Sequence, residues 1–216
     1  MRCRALLIGA VLAVAASRGA HADVQQWTEL GIGKDLTKRW SASFDQHLRF
    51  DEDLSRVESV MPEAGIGWRP KRWLRFSLGY RLQYQRDGSG DMALRHRLHT
   101  AVRARYALGD VRLEYRLQLQ EQLRPGSKDP ARHTLRDRAE VSYRRFKPWV
   151  PGASVELFHA IADGDAIRLD KLWLTLNAAH SRKSWSAEVF YRVEVPIADA
   201  MDPTLHILGV GVHYDL

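Results

Sequence analysis

Basic side chains occupy five of the six odd positions in the stretch from residue 95 to residue 105. Arg95, Arg97, His99, Arg103 and Arg105 are separated mainly by apolar residues. A guanidinium group presents its N–H donors in one plane and binds a carboxylate or a phosphate through two parallel hydrogen bonds. This spacing therefore indicates the recognition of anions, and the fold must decide which space the row faces.

The same alternation extends through the chain and predicts β-strands. Between residues 74 and 85, every even position is Leu, Phe or Tyr and every odd position is Arg, Ser, Gly or Gln. Successive side chains of a strand point to opposite faces, so such a segment has one apolar and one polar face. Short polar turns separate eleven segments of this kind. They cover residues 24–34, 40–50, 57–68, 74–85, 94–106, 111–122, 134–146, 153–160, 168–178, 185–195 and 204–216.

Two all-β architectures fit this pattern. In a soluble barrel or sandwich, the apolar faces form the core and the arginines meet water. In an outer-membrane β-barrel, the apolar faces meet lipid and the arginines line the interior, or lumen. The periodicity alone does not choose between them.

Three features favour the outer-membrane barrel. Small soluble barrels fill their interior at about eight strands, so more strands with large inward apolar residues would leave unpaired edges. The chain ends within its last strand, where Gly211, Tyr214 and Leu216 resemble the C-terminal assembly signal of outer-membrane barrels. Counting back from Leu216 also places five tryptophans in or beside the turns of one barrel end, as in an interfacial aromatic belt. They are Trp40, Trp68, Trp73, Trp149 and Trp185.

Counting the turns back from Leu216 predicts short turns on the periplasmic side and longer connections on the extracellular side. Bacterial single-chain barrels have even numbers of strands and place both termini in the periplasm. We therefore assign the first segment, Val24 to Gly33, to a piece packed at the rim or in the lumen. The prediction is an up-and-down antiparallel barrel of ten strands, with twelve strands as the alternative.

The N-terminus has the features of a secretory signal peptide. Residues 1–4 include two arginines, residues 5–16 form an apolar run too short to cross a bilayer as a helix, and residues 20–22 resemble a cleavage site. Residues 1–22 are thus predicted to be removed, leaving residues 23–216 as one barrel domain. The mature chain would lack cysteine and carry thirty basic against twenty-six acidic residues, a net charge of +4 that does not indicate a nucleic-acid partner.

The polar face of the predicted strands supplies the candidate functional residues. On this face, fourteen basic residues accompany seven acidic ones. Cross-strand ion pairs can neutralise only part of this charge. The lumen-lining candidates are Arg49, Glu63, Arg75, Arg81, Arg95, Arg97, Arg103, Arg105, Arg112, Glu114, Arg116, Arg136, Arg138, Glu140, Glu156 and Glu188.

Two functions compete for such a lumen. The excess of arginine predicts an anion-selective channel or a binding barrel for acidic solutes, and in architecture and charge the chain is similar to the small twelve-stranded channels for acidic oligosaccharides. If arginines and carboxylates close the lumen as salt bridges, the barrel is instead structural or acts through its surface loops. We expect no enzyme, metal site or cofactor, because no spacing singles out a Ser–His set and the histidines are scattered.

Several segments together resemble the family of bacterial outer-membrane proteins called domain of unknown function 2490. The segments span the mature chain, and the resemblance lies in their order and spacing. It implies an outer-membrane barrel and no particular substrate. The segments are QQWTELGIGKDL (25–36), RF (49–50), SLGYRLQYQ (77–85), RHRL (95–98), RLEYRLQLQEQL (112–123), LRDRAEVSY (135–143), Glu156 and LHILGVGVHYDL (205–216).

The expected location and partners follow from these predictions. The protein is expected in the bacterial outer membrane as a monomer, surrounded by lipid. Its C-terminal strand would engage the barrel assembly machinery, and anionic small molecules would be its solutes.

Overall fold

The computed structural model describes residues 24–51, 56–126, 131–161, 166–198 and 203–216. Within these ranges, eleven β-strands close into one barrel. The predicted signal peptide, residues 1–22, lies outside them. The strands are β1 (Val24–Asp35), β2 (Trp40–Asp51), β3 (Arg56–Lys71), β4 (Leu74–Arg86), β5 (Met92–Leu108), β6 (Val111–Leu123), β7 (Arg132–Tyr143), β8 (Trp149–Ile161), β9 (Ile167–Ser181), β10 (Trp185–Pro196) and β11 (Leu205–Asp215).

Helical structure is minor in the described ranges. A single 3-10 turn, Arg144–Phe146, connects β7 to β8. None of the helical structure in these ranges is both long and apolar enough for a bilayer-spanning helix.

The predicted strand number of ten is wrong, and so is the alternative of twelve. The segment from Val24 to Gly33 is a barrel strand, because β1 pairs with β2 in antiparallel fashion and with β11 in parallel. In the parallel pair, Val24 lies opposite His206 and Gly33 lies opposite Asp215. When consecutive strands are antiparallel, a barrel that closes with an antiparallel pair has an even number of strands. A barrel that closes with a parallel pair has an odd number. β1 also satisfies the backbone N–H and C=O groups that would otherwise form two open edges.

The parallel pair places the two termini of the barrel at opposite ends, which corrects the expectation that both lie on one side. One end, which we call the short-turn end, carries Leu216 and the turns at residues 36–39, 72–73, 109–110, 144–148 and 182–184. The other, the loop end, carries Val24 and the connections that follow β2, β4, β6, β8 and β10. These two sets of connections fall at or near the gaps between the eleven segments predicted from the sequence.

The apolar face of the strands is the outer surface of the barrel. Leu78, Leu117 and Leu174 on β4, β6 and β9 are each 40–49% exposed. Polar side chains next to them in sequence, such as Gln118 and Thr175, are buried. The barrel therefore has the inside-out arrangement in which charged and polar groups are enclosed and large apolar groups are exposed.

Glycines on the inner face make room for larger side chains of neighbouring strands. A Cβ atom on Gly79 would lie within 2.4 Å of the His99 ring, and one on Gly209 would lie within 2.0 Å of the Phe190 ring. A side chain at either position would collide with these rings. Inner glycines are therefore packing positions, as their place within strands predicts.

Candidate functional site

The strands enclose a cavity of about 490 Å³. Ten of the eleven strands contribute to its lining, all except β11. The lining extends from Arg75, the second residue of β4 at the short-turn end, to Arg132, the first residue of β7 at the loop end. The cavity thus extends along much of the barrel axis.

Most of the predicted lumen residues border this cavity. Five of the sixteen candidates do not line it, namely Arg95, Arg105, Arg112, Glu114 and Glu140. The eleven that do are Arg49, Glu63, Arg75, Arg81, Arg97, Arg103, Arg116, Arg136, Arg138, Glu156 and Glu188.

Two of the candidates outside the lining are carboxylates that hold arginines in place. Glu114 lies 3.0 Å from the Arg103 Nε atom and 2.5 Å from the Arg105 Nε atom. Glu140 accepts a hydrogen bond of 2.6 Å from Arg138. The pairs of Glu114 join β5 to β6, whereas the pair between Glu140 and Arg138 lies within β7.

Arg112 and Arg95 make different contacts. Arg112 donates a long hydrogen bond of 3.4 Å from Nε to the hydroxyl of Ser142. Arg95 lies on β5 near the loop end, and its buried Nε atom has no hydrogen-bond acceptor in the described part of the chain.

Two inner carboxylates, Glu156 and Glu63, bind three arginines of the cavity lining. Glu156 is 3% exposed and lies 2.7 Å from both Arg116 and Arg136. Glu63 accepts a hydrogen bond of 2.5 Å from Arg81 and lies 3.6 Å from His99. Such charge-assisted contacts fix the positions of the guanidinium groups.

Cations nevertheless outnumber carboxylates around the cavity. Ten arginines and one lysine line it, against six Asp and Glu side chains. Among the described residues, no carboxylate oxygen lies within 4.0 Å of the side-chain nitrogens of four lining arginines. These four are Arg49, Arg75, Arg97 and Arg192. The cavity therefore has cationic groups whose charge is not matched by a direct ion pair.

The inner wall also contains an aromatic cluster that the sequence analysis missed. The inner aromatic cluster consists of Trp27, Phe158, Trp173 and Phe190, all of which border the cavity. Trp27 was overlooked because its strand was removed from the barrel. The other three could have been found by alternation, since each lies two residues from a charged residue of the polar face, as Phe158 does from Glu156.

Guanidinium groups lie against these rings. The Cζ atom of Arg49 is 3.8 Å from the Trp27 ring centroid, and that of Arg192 is 4.3 Å from the Trp173 ring centroid. The positive charge of an arginine is attracted to the electron-rich face of an aromatic ring. The rings therefore hold arginines that have no carboxylate partner.

All five tryptophans of the predicted belt lie at the short-turn end of the outer surface. Their exposed fractions range from 38% to 50%. Trp40 contacts Trp68, with 6.2 Å between ring centroids, while Trp149 and Trp185 flank the ring of His180. The Trp73 side chain is half exposed in the turn that joins β3 to β4.

Polar pairs lie on the outer surface nearer the loop end, and the sequence analysis did not predict them. The hydroxyl of Tyr80 lies 2.5 Å from His96 Nδ1, and that of Tyr191 lies 2.5 Å from His206 Nδ1. His159 Nε2 pairs with Asp137 at 2.9 Å. The outer surface thus changes in character along the barrel axis, from tryptophan at the short-turn end to hydrogen-bonded histidine pairs toward the loop end.

The residues of the proposed C-terminal signal belong to β11 and its end. Gly211 pairs with Glu29 of β1 and Glu188 of β10, and Tyr214 is 47% exposed on the outer face. The Leu216 backbone N–H donates a hydrogen bond of 2.8 Å to the Gly33 carbonyl.

In the described ranges, no three or more His, Cys, Asp or Glu side chains are grouped as a metal site would require.

These features define a closed all-β barrel with an apolar outer surface and a cation-rich internal cavity. The chain belongs to the family described as Protein of unknown function (DUF2490), whose model matches residues 24–195. The match covers β1 to β9 and all of β10 but its last residue. No curated protein matches the chain.

Proposed function

We propose that this protein is an outer-membrane β-barrel whose internal cavity binds anionic solutes, such as acidic sugars. The observation that carries the proposal is the cavity lining, in which eleven cationic side chains accompany six carboxylates. Such a lining attracts anions and disfavours cations.

The dimensions of the outer surface support a membrane location. On β5, Tyr106 lies ten positions after His96, and on β8, His159 lies ten positions after Trp149. With about 3.4 Å per residue and a strand tilt of about 40°, each stretch spans about 26 Å along the barrel axis. This height is close to the ~25 Å apolar band of outer-membrane barrels, whose borders carry aromatic residues.

The same proposal includes export, assembly and orientation. Residues 1–22 would direct export, and the C-terminal strand with Gly211, Tyr214 and Leu216 would be the segment that the assembly machinery engages. The short-turn end would face the periplasm and the loop end the outside. The barrel would act as a monomer surrounded by outer-membrane lipid.

The size of the cavity supports solute binding over free diffusion through a wide pore. About 490 Å³ lies within the range of roughly 300–1,000 Å³ that suits small-molecule ligands. The inner aromatic cluster and the ion pairs around Glu156 border this cavity inside the barrel. A solute of a few sugar units or smaller is the size class that matches this space.

The ion pairs favour a second candidate, a structural barrel with a closed lumen. Glu156 joins β6, β7 and β8 through Arg116 and Arg136, and Glu114 holds both Arg103 and Arg105. A barrel with only this role would need no cation without a carboxylate partner. The two candidates therefore predict different responses to added anions.

Thermal unfolding of the full chain in detergent micelles tests the proposal. Glucuronate should raise the unfolding temperature, because a ligand that binds only the folded state stabilises it. Glucose and potassium chloride at matched ionic strength should have little effect. Equal effects of glucuronate, glucose and chloride would contradict solute binding and favour the structural barrel.

A further inference from the structure

We propose that Arg49, Arg81 and Arg97 form a site for a single oxyanion group, a carboxylate or a phosphate, within the barrel. This inference rests on the proposed binding of anionic solutes, and it identifies the residues that hold the anion. The three arginines come from β2, β4 and β5 and border the same cavity.

The three arginines face one shared space. Arg81 and Arg97 are direct partners in the β4–β5 register, and both border the same cavity as Arg49. Glu63 forms an ion pair with Arg81 alone among the three. The cluster thus has three positive charges and one direct carboxylate partner, and the missing negative charge is what an anionic ligand would supply.

Arg49 has unused hydrogen-bond donors. Its buried Nε atom has no acceptor in the part of the chain that the structure describes. Its guanidinium carbon lies 3.8 Å from the Trp27 ring centroid, so the indole occupies one face of the group. Because guanidinium N–H bonds point outward in its plane, this contact orients the group while leaving its donors available for an oxyanion.

Arg97 is only partly satisfied. Its Nη2 atom donates a hydrogen bond of 2.7 Å to Gln122 Oε1, which orients the guanidinium group. Its buried Nε atom has no acceptor among the described residues. Buried polar groups normally have hydrogen-bond partners, so unused donors at two arginines of the same cavity point to an acceptor from outside the chain.

The ligand class follows from these donors. Carboxylates and phosphates provide both negative charge and the paired acceptor oxygens that guanidinium groups bind. Arg81 is already bound to Glu63 and lies 3.1 Å from His47 Nε2, so its role is to add charge and to hold the wall of the site. Arg49 and Arg97 would make the direct contacts with the anion.

Anion titrations of the full chain in detergent micelles test this site. The probes are inorganic phosphate and glucuronate, with glucose as the uncharged control, and calorimetry measures affinity. Arg49→Gln and Arg97→Gln should each weaken binding of the anions by about tenfold or more, as expected for the loss of a charge-assisted contact. The matched control is Arg112→Gln, which changes an inner-face arginine outside the cavity lining and should retain the affinity of the unchanged protein.

The stability of the unliganded variants gives a second readout. Because the three cations repel one another, Arg97→Gln should unfold at a higher temperature than the unchanged protein when no anion is present. If Arg97→Gln does not fold, Arg97→Lys keeps the charge and should still bind more weakly, because it loses the planar arrangement of donors.

The outcomes separate this inference from the proposed function. If the unchanged protein binds neither anion, the proposed function fails and the site with it. If it binds an anion and the variants at 49 and 97 bind equally well, only this site is wrong. Phosphate binding without glucuronate binding identifies a phosphate site, and the reverse identifies a carboxylate site; both support an oxyanion site.

Discussion

The guanidinium carbon of Arg49 lies 3.8 Å from the ring centroid of Trp27, and the two residues are direct partners in the β1–β2 register. Trp27 also packs edge-on against Trp173 of β9, with 5.4 Å between ring centroids. β1 therefore closes the barrel and also supplies the ring that positions an arginine of the cavity. The closure of the barrel and the composition of the cavity depend on the same strand.

Replacing Trp27 should destabilise the whole barrel. Trp27 is 5% exposed and contacts both the inner aromatic cluster and Arg49. Trp27→Ala should reduce the free energy of unfolding by about 3–5 kcal/mol, as removal of a buried large aromatic side chain does. Denaturant unfolding in detergent micelles measures the change. Trp73→Ala, at a half-exposed position, is the control and should cost much less.

Neutralising Glu156 should leave Arg116 and Arg136, whose side chains are only 18% and 12% exposed, without their carboxylate. Removal of one partner from a buried ion pair costs about 3–5 kcal/mol. Glu156→Gln should therefore lower the free energy of unfolding by an amount in this range. Glu140→Gln is the matched control, since among the described residues Glu140 forms an ion pair with Arg138 only, and its side chain is 22% exposed. Equal losses in the two variants would contradict a central role for Glu156.

A charged substitution on the outer face of the barrel distinguishes a lipid environment from an aqueous one. Leu117 lies in the middle of β6 and is 40% exposed. In lipid vesicles, Leu117→Arg should cost about 2–4 kcal/mol, while Leu108→Arg at the short-turn rim should cost about 0–1 kcal/mol. Reversible unfolding from vesicles gives both values. A Leu117→Arg variant as stable as the rim variant would show that water, not lipid, meets this face.

The parallel pairing of β1 and β11 predicts the sides on which particular residues are labelled. In a Cys3→Ser background, Val24→Cys and Ser89→Cys lie at the loop end, whereas Asp110→Cys lies at the short-turn end. A membrane-impermeant thiol reagent should label the first two on intact cells and Asp110→Cys only after the outer membrane is permeabilised. Labelling of Val24→Cys together with Asp110→Cys would contradict the parallel pair.

Alternation predicted all eleven strands and both sets of connections, because the period of two depends on local backbone geometry. The predicted number of strands was nevertheless wrong, because β1 was left out of the barrel. Val24 to Gly33 was set aside because an antiparallel closure requires an even number, and nothing local in that segment specifies whether its second neighbour runs parallel. Pairing between β1 and β11 joins residues almost two hundred positions apart in the chain.

The inner wall could be predicted in part. Alternation assigned Arg49, Arg97 and Glu156 to the polar side of their strands, and the structure places these residues at the cavity. It did not show that Arg49 contacts a tryptophan or that Glu156 binds two arginines, because strand tilt and stagger decide which inward side chains meet.

The central claim is that the apolar face of the barrel meets lipid while the polar face encloses the cavity. A fluorophore attached to single cysteines along β6 tests it in vesicles that contain a lipid-bound quencher. Variants at Tyr115, Leu117 and Leu119 should be strongly quenched, and variants at Gln118 and Gln120 should be protected, because the last two are buried inside the barrel. This alternation between quenched and protected positions is the predicted result. The claim would be contradicted if the lipid-bound quencher affected none of the variants and a water-soluble quencher reached positions 115, 117 and 119.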